Sequence, residues 1–278
     1  MFLKILKYDL KSIYRIFLLL TPITLGVCLL GGFGIDFLAS SADPHPLITL
    51  ISVLWIILSV FVISAYVIVI NLFVYIRLYK HFFSDEGYLT FTLPIKRSTL
   101  LRAKSVNAMI WNILAGIGVF LGIGLMILPT AIHSKALPEI FKAMLIAFKN
   151  IPVDSIVSIV IYIVGGTLIA LTATWFNIEL TQLCITVGST ITGKHKILAS
   201  IGIYYAVNTV LTFGSQILAF LGAIPLAWLV DAVLSLPNPL KNIAVAISLF
   251  IFALWFAALA ITCHVISLKR IMNHLNMA

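Results

Sequence analysis

Glu179 is the one acidic residue that lies well inside an apolar run of this chain. A carboxylate in such a run can pair with a buried cation, contact a polar ligand, or take up and release a proton. The 24 residues that separate it from Ser155 would extend about 36 Å as a helix, past the ~30 Å hydrocarbon core of a bilayer. We therefore expect Glu179 near a membrane interface, paired with a base such as Arg77 or Lys194, while the other two roles stay open.

Amide side chains in the apolar runs could line a polar path together with Glu179, or simply join neighbouring helices. The sequence does not separate these alternatives. No catalytic motif accompanies them, because the chain has no HExxH, no GxSxG and no GxxxxGK[ST] phosphate loop. We therefore expect no enzymatic activity, metal or other cofactor in this chain itself. The candidate path residues are Glu179, Gln182, Asn71 and Asn208.

A charged segment, residues 79–104, separates two long apolar runs and holds two of the nine acids and five of the 18 Lys and Arg residues. Ser84 can cap a helix, acidic side chains favour the helix start that follows it, and Pro94 can end the element. Aromatic and apolar anchors between charged flanks suit a protein contact. We predict a short helix over residues 84–93 that docks on a soluble partner; the alternative is a loop packed on its own membrane. The expected contact residues are Ser84, Asp85, Glu86, Gly87, Tyr88, Leu89, Phe91 and Arg97.

Composition places the rest of the chain in a membrane. The 278 residues are 62% apolar and only 10% charged, with a mean hydropathy of +1.16, too few charges to cover a water-facing surface. The apolar runs are continuous, which predicts an all-α integral membrane protein with a single transmembrane domain over residues 1–278. Gly118 and Gly122 form a close-packing pattern, most simply used within the subunit. The predicted spans are 16–38, 47–78, 105–132, 155–191, 197–215 and 240–268.

Two further elements are predicted to lie at the membrane surface instead of crossing it. Residues 1–17 carry an apolar stripe and a separate basic stripe, which predicts an amphipathic helix in the plane of the headgroups. Residues 216–236 follow the fifth span and are interrupted by Pro225 and Asp231. We predict two short helices here, beginning near Gln216, that dip into the outer leaflet and return.

Charge gives the orientation of the spans. Fourteen of the 18 Lys and Arg residues fall in the N-terminus, residues 77–104, the turn at residues 192–196 and the C-terminus, and the other four fall in the remaining connections. Because cytoplasmic segments carry the excess of Lys and Arg, we expect both termini in the cytoplasm. This distribution explains the net charge of +9 by topology, and no nucleic-acid partner is expected.

The charged segment resembles the cytoplasmic loop of ABC type-2 transporter permeases. In that family a short coupling helix between the second and third spans enters a cleft on a nucleotide-binding subunit. The string KHFFSDEGYLTFTLP is similar to a branch found in Firmicutes that is often associated with antimicrobial-peptide export or immunity. The resemblance extends over the whole chain, through the in-plane helix, the six spans and the broken outer helices. The matching residues are Glu86, Gly87, Leu93, Pro94, Arg97, Leu100 and Lys104.

The resemblance implies a permease subunit of an ATP-driven exporter in the bacterial plasma membrane. Its cargo would be a peptide, a lipid-like molecule or a hydrophobic antimicrobial compound. The implied partners are a separate ATPase subunit, which would bind ATP and Mg²⁺, and a second permease subunit, identical or not. Two alternatives stay open: an ion-coupled secondary transporter that uses Glu179, and a non-transporting sensor or immunity protein that binds its ligand through the outer helices.

The predicted orientation can be tested by cysteine-accessibility labelling of intact cells. Single cysteines are introduced as Ser84→Cys, on the predicted cytoplasmic side, and Lys142→Cys, on the predicted outer side. A membrane-impermeant thiol reagent should label only Lys142→Cys. Labelling of Ser84→Cys with none at Lys142→Cys would refute the predicted topology.

Overall fold

Six long helices make up almost all of the described chain. The structure is a computed structural model and describes residues 2–40, 45–83, 96–134, 138–139, 142–143, 145–146, 152–191 and 196–274. The helices are α1 (Phe2–Ser40), α2 (Pro46–Phe83), α3 (Arg97–His133), α4 (Val153–Ile191), α5 (Lys196–Leu234) and α6 (Asn238–His274).

Each of these helices is long and apolar enough to cross a membrane, which confirms the prediction of an all-helical, multi-pass membrane protein. The helices have 37 to 39 residues, whereas a span needs about 20. α3 and α6 extend beyond the predicted spans at both ends, and the bounds of the spans themselves stay a prediction. Charged residues at the ends of a span mark where the apolar stretch stops, and a helix can continue beyond that point because Lys and Arg are good helix formers.

The N-terminal amphipathic stretch is not a helix separate from the first span, so that part of the prediction is wrong. Its predicted position in the plane of the headgroups stays a prediction. α1 runs from Phe2 to Ser40 without interruption, because nothing before Pro22 breaks a helix. The basic stripe is exposed as expected, but part of the other face is buried in the protein, including Ile13. An apolar stripe alone therefore did not distinguish packing against lipid from packing against a neighbouring helix.

The expected break after the fifth span is also wrong. α5 continues as one helix from Lys196 to Leu234, past residue 215 and through Pro225. Proline is tolerated in helices of this kind, because the freed backbone groups can be satisfied by neighbouring helices and local adjustments. The stretch that is long and apolar enough to span ends at Ile217, so the position of the rest of α5 relative to the outer leaflet stays a prediction.

The predicted docking helix, residues 84–93, lies outside the described residues. We call these residues the docking segment. The same holds for most of the basic turn at residues 192–196. The helices that flank the docking segment are described up to Phe83 on one side and from Arg97 on the other.

The described helices form two compact units. Unit 1 comprises Met1–Leu78 and Arg102–Asn150, and unit 2 comprises Tyr79–Leu101 and Ile151–Ala278. In unit 1, α1 and α3 run parallel, because their contacts pair residues in the same order along both helices. These pairs are Asp9 with Lys104, Phe17 with Trp111 and Asp36 with His133. α2 is antiparallel to α1, because the order is reversed. These pairs are Asp9 with Arg77, Thr21 with Tyr66 and Val27 with Ser59.

Small residues allow the helices of unit 1 to approach closely. A Cβ added at Gly32 of α1 would lie 2.7 Å from the Leu125 carbonyl oxygen of α3. The close-packing pattern on α3 is also used within the subunit, as predicted: a Cβ at Gly118 would meet Tyr66 of α2, and one at Gly122 would meet Cys28 of α1.

In unit 2, α4 and α6 run parallel, again with residues paired in the same order. The pairs are Ser158 with Asn242, Phe176 with Phe256, Glu179 with His264 and Thr190 with Arg270. α5 returns antiparallel to α4, and a Cβ at Gly188 would lie only 2.5 Å from the Ser200 hydroxyl oxygen. The three helices of unit 2 therefore have a fixed register, in which Glu179 faces α6.

The close approach of α1 and α3 can be tested with Gly32→Ala. The new Cβ would clash with a backbone carbonyl, which cannot swing away as the end of a side chain can, and overpacking of this kind costs about 1–3 kcal/mol. The melting temperature of the purified protein in detergent should therefore fall. Gly26→Ala is the matched control on the same helix, because its Cβ would have nothing within 4 Å. Equal melting temperatures for the two variants would contradict this packing.

Candidate functional site

The centre of unit 2 holds a buried carboxylate with two side-chain partners. The indole Nε1–H of Trp175 donates to Oε1 of Glu179 over 3.1 Å. Nδ1 of His264 on α6 lies 3.0 Å from Oε2 of the same carboxylate. The side chains of Glu179 and His264 are 1% and 14% exposed. Both carboxylate oxygens thus have partners within unit 2.

The contact between His264 and Glu179 contains one shared proton. Either the Nδ1–H donates to a carboxylate, or a protonated carboxyl donates to a bare Nδ1. The other ring nitrogen, Nε2, is buried and has no hydrogen-bond partner among the described residues.

Arg77, one of the two predicted partners of Glu179, is not among its described contacts, and the pairing with Lys194 stays a prediction. Arg77 pairs with Asp9 in unit 1, and Lys194 lies outside the described residues. The prediction considered only Lys and Arg as partners and therefore overlooked His264. The useful signal was that a histidine lies in the last span, five residues before the basic cluster at Lys269.

Gln182, one turn beyond Glu179, is also fully buried. The second half of α4 is buried on almost all sides, whereas its first half is largely exposed. Glu179 and Gln182 therefore lie in a part of α4 that is buried in the protein. The predicted polar path through them stays a prediction.

Asn71 and Asn208 are not brought to Glu179 by any described contact. The Asn71 amide donates to the Val67 carbonyl oxygen over 2.9 Å, and the Asn208 amide donates to the Tyr204 carbonyl oxygen over 3.1 Å. Each bond lies within the residue's own helix. Neither bond joins two helices, and the predicted role of both residues in a polar path stays a prediction.

A second buried carboxylate, Asp9, was missed by the sequence analysis. Lys104 Nζ on α3 donates to its Oδ2 over 2.5 Å, and Arg77 Nε on α2 lies 3.6 Å from Oδ1. The carboxylate is 4% exposed and the Lys104 side chain 5%. Asp9 lies four residues before Ile13, on the apolar side of α1. An acidic residue on an apolar helix face was the feature of the sequence that could have indicated a buried ion pair.

Arg97, the last predicted docking residue, is the only one of that set within the described residues. Its Nη1 donates to the Ile271 carbonyl oxygen of α6 over 3.2 Å. Carbonyls in the last turn of a helix lack intrahelical donors, so a guanidinium here is favourable. Nearby on α6, Arg270 Nε donates to Thr190 Oγ1 of α4 over 3.1 Å. The start of α3, the end of α6 and the end of α4 are thereby joined by hydrogen bonds.

The predicted outer elements are placed only in part. Gln216 and Asp231 are exposed on α5. Pro225 lies within the same helix, and its side chain is outside the described set. Among the described residues, no group of three or more His, Cys, Asp or Glu side chains is arranged to hold a metal ion. No protein-family model, no curated protein and no solved structure matches the chain.

The Glu179 contacts can be tested through stability. Glu179→Ala leaves His264 Nδ1 and Trp175 Nε1 without their acceptor, and loss of a buried pair should cost on the order of 2 kcal/mol or more. Asn208→Ala, which removes a bond within one helix, is the control and should cost less than about 1 kcal/mol. The readout is thermal unfolding of the purified protein in detergent.

A double-mutant cycle isolates the contact itself. Glu179→Gln and His264→Gln should be less harmful together than the sum of the single effects, since both act on one contact. Strict additivity would mean that the two side chains do not interact.

Proposed function

We propose that this chain is the transmembrane permease subunit of an ATP-driven exporter. It would move a peptide, a lipid-like molecule or another hydrophobic compound outward across the bacterial plasma membrane. The observation that carries the proposal is the charged segment, residues 79–104, which separates two long apolar runs on the side that charge assigns to the cytoplasm. ATP hydrolysis belongs to a separate subunit, because the chain has no phosphate loop.

The surroundings of this segment support a role in transmitting force. The helix ends on either side of it, Tyr79–Phe83 and Arg97–Leu101, belong to unit 2 together with α4, α5 and α6. Phe82, Leu100 and Leu101 are buried there. A partner that pushes on residues 84–93 would therefore act on packed helix ends.

The hydrogen bonds of the same region would pass a displacement of the docking segment to the membrane helices. Displacement of Arg97 would act on the end of α6 through the Ile271 carbonyl. α6 in turn contacts α4 near the Arg270–Thr190 bond and again at the Glu179–His264 pair. The ends of three helices would move together when the docking segment moves.

In this mechanism the chain works as a dimer of permease subunits, identical or not, with one ATPase subunit under each half. ATP binding closes the ATPase pair, and the two docking segments follow. The apolar side chains Tyr88, Leu89 and Phe91 supply the contact area, and Asp85 and Glu86 favour the start of the docking helix. Cargo transfer then follows from the change in helix positions.

The contact is tested by substitutions in the docking segment. Glu86→Arg, or Tyr88→Ala with Leu89→Ala, should leave membrane insertion intact because no apolar run is altered. Loss of a central anchor costs about 2 kcal/mol or more, roughly thirtyfold in affinity. The ATPase subunit should therefore be lost on purification of the complex, or be retained with transport uncoupled from ATP hydrolysis.

Two controls locate the effect. Because Arg97 donates to the Ile271 carbonyl oxygen of α6, Arg97→Ala should weaken the coupling of hydrolysis to transport, and Arg97→Lys should restore part of it. Glu179→Gln should leave ATPase binding unchanged. If the docking variants retain both partner and transport while Lys194→Glu or His195→Ala abolishes them, the contact lies at the turn of residues 192–196 instead.

The Glu179–His264 pair favours one second candidate, an ion-coupled secondary transporter. A carboxylate and an imidazole that share a proton inside a membrane are the type of groups used in proton relays. Proteoliposomes that contain the chain alone separate the two functions. Uptake driven by a pH gradient without ATP, and lost in Glu179→Gln, would favour the second candidate over the exporter.

A further inference from the structure

The first turns of α1 carry a basic cleft that no part of the proposed function uses. Tyr8, Lys11, Ser12 and Arg15 line a shallow cleft of about 360 Å³. Their spacing of three and four residues places them on one face of the helix. The two cationic side chains are exposed, and Tyr8 is 70% exposed. The cleft thus offers two positive charges and two hydroxyl groups at one surface.

No negative charge on α1 opposes this cleft. Asp9 is the only acid in residues 2–35, and it is buried against Lys104 and Arg77. Its charge is therefore compensated inside unit 1. The exposed charges of this end of α1 are all positive. They are Lys4, Lys7, Lys11 and Arg15.

The position of the cleft along α1 selects its ligand. Residues 16–35 contain no charged side chain, and these 20 residues extend about 30 Å, the thickness of the hydrocarbon core. Arg15 directly precedes them, and Asp36 directly follows. The cleft accordingly lies within about 10 Å of the hydrocarbon boundary, at the depth of lipid headgroups. Exposed tyrosines, here Tyr8 and Tyr14, are typical of this layer.

We propose that this cleft is a binding site for the headgroup phosphate of an anionic phospholipid, such as phosphatidylglycerol. A guanidinium can bind two phosphate oxygens at once, and a Lys ammonium adds a point charge. The Tyr8 and Ser12 hydroxyls can donate to the remaining oxygens. Basic pockets beside membrane helices recognise anionic headgroups in this manner. The site does not depend on the exporter function.

The test is a titration of the full-length protein in detergent with short-chain phosphatidylglycerol, in which the melting temperature of the protein is measured at each lipid concentration. We expect a saturable rise with phosphatidylglycerol and none with short-chain phosphatidylcholine or inorganic phosphate at the same concentration. Lys11→Gln with Arg15→Gln should raise the half-saturating concentration of phosphatidylglycerol about tenfold or more, because hydrogen bonds to charged groups are lost.

The matched control is Lys4→Gln with Lys7→Gln, which removes the same charge from the same helix outside the cleft. It should change the half-saturating concentration less than about threefold. Tyr8→Phe, which keeps the charge and the ring, should weaken binding measurably if the hydroxyl donates. Equal losses in the two double variants would show a diffuse electrostatic attraction and overturn the site. An equal shift with inorganic phosphate or phosphatidylcholine would also overturn the proposed ligand.

Discussion

A carboxylate buried between two parallel helices fixes the register of each half of the described chain. Asp9 joins α1 to α3 in unit 1, and Glu179 joins α4 to α6 in unit 2. An uncompensated charge in such a place is costly, so neither helix pair can slide by one turn without losing its partner. The apolar side chains along the helices pack in the register that the polar pair sets.

The two pairs differ in the chemistry of their partners. Asp9 lies between an ammonium and a guanidinium, those of Lys104 and Arg77. Glu179 lies against an imidazole and an indole, those of His264 and Trp175. The Glu179 pair belongs to the unit that also holds the helix ends beside the docking segment.

Sequence reasoning recovered the class of protein and the number of long apolar helices, because apolar run length is a direct consequence of bilayer thickness. It failed where tertiary contacts decide. Residues 1–17 read as a surface helix because half of their pattern suits lipid, yet Ile13 and Asp9 are buried in protein. Pro225 read as a break because proline disfavours helices in water, yet α5 continues through it.

The pairing of polar groups was the least predictable feature. Glu179 was expected to pair with a base such as Arg77 or Lys194, and its described partner on another helix is His264. The register between neighbouring helices cannot be read from one sequence. The offset between Glu179 and His264 follows from the packing of α4 on α6 along their whole length, including Ser158 against Asn242. Only the three-dimensional register showed that Arg77 was already engaged by Asp9.

The length of the helices has a mechanical consequence. A helix of 37 residues, the shortest in the described chain, is about 55 Å long, and even at a tilt of about 40° it rises some 42 Å, more than the ~30 Å hydrocarbon core. Each helix is thus a rod longer than the hydrocarbon core is thick. A change in tilt of about 10° would move one end of such a rod by nearly 10 Å relative to the other. Small rotations within the bilayer are therefore amplified into large displacements at its surface, as they are in a lever.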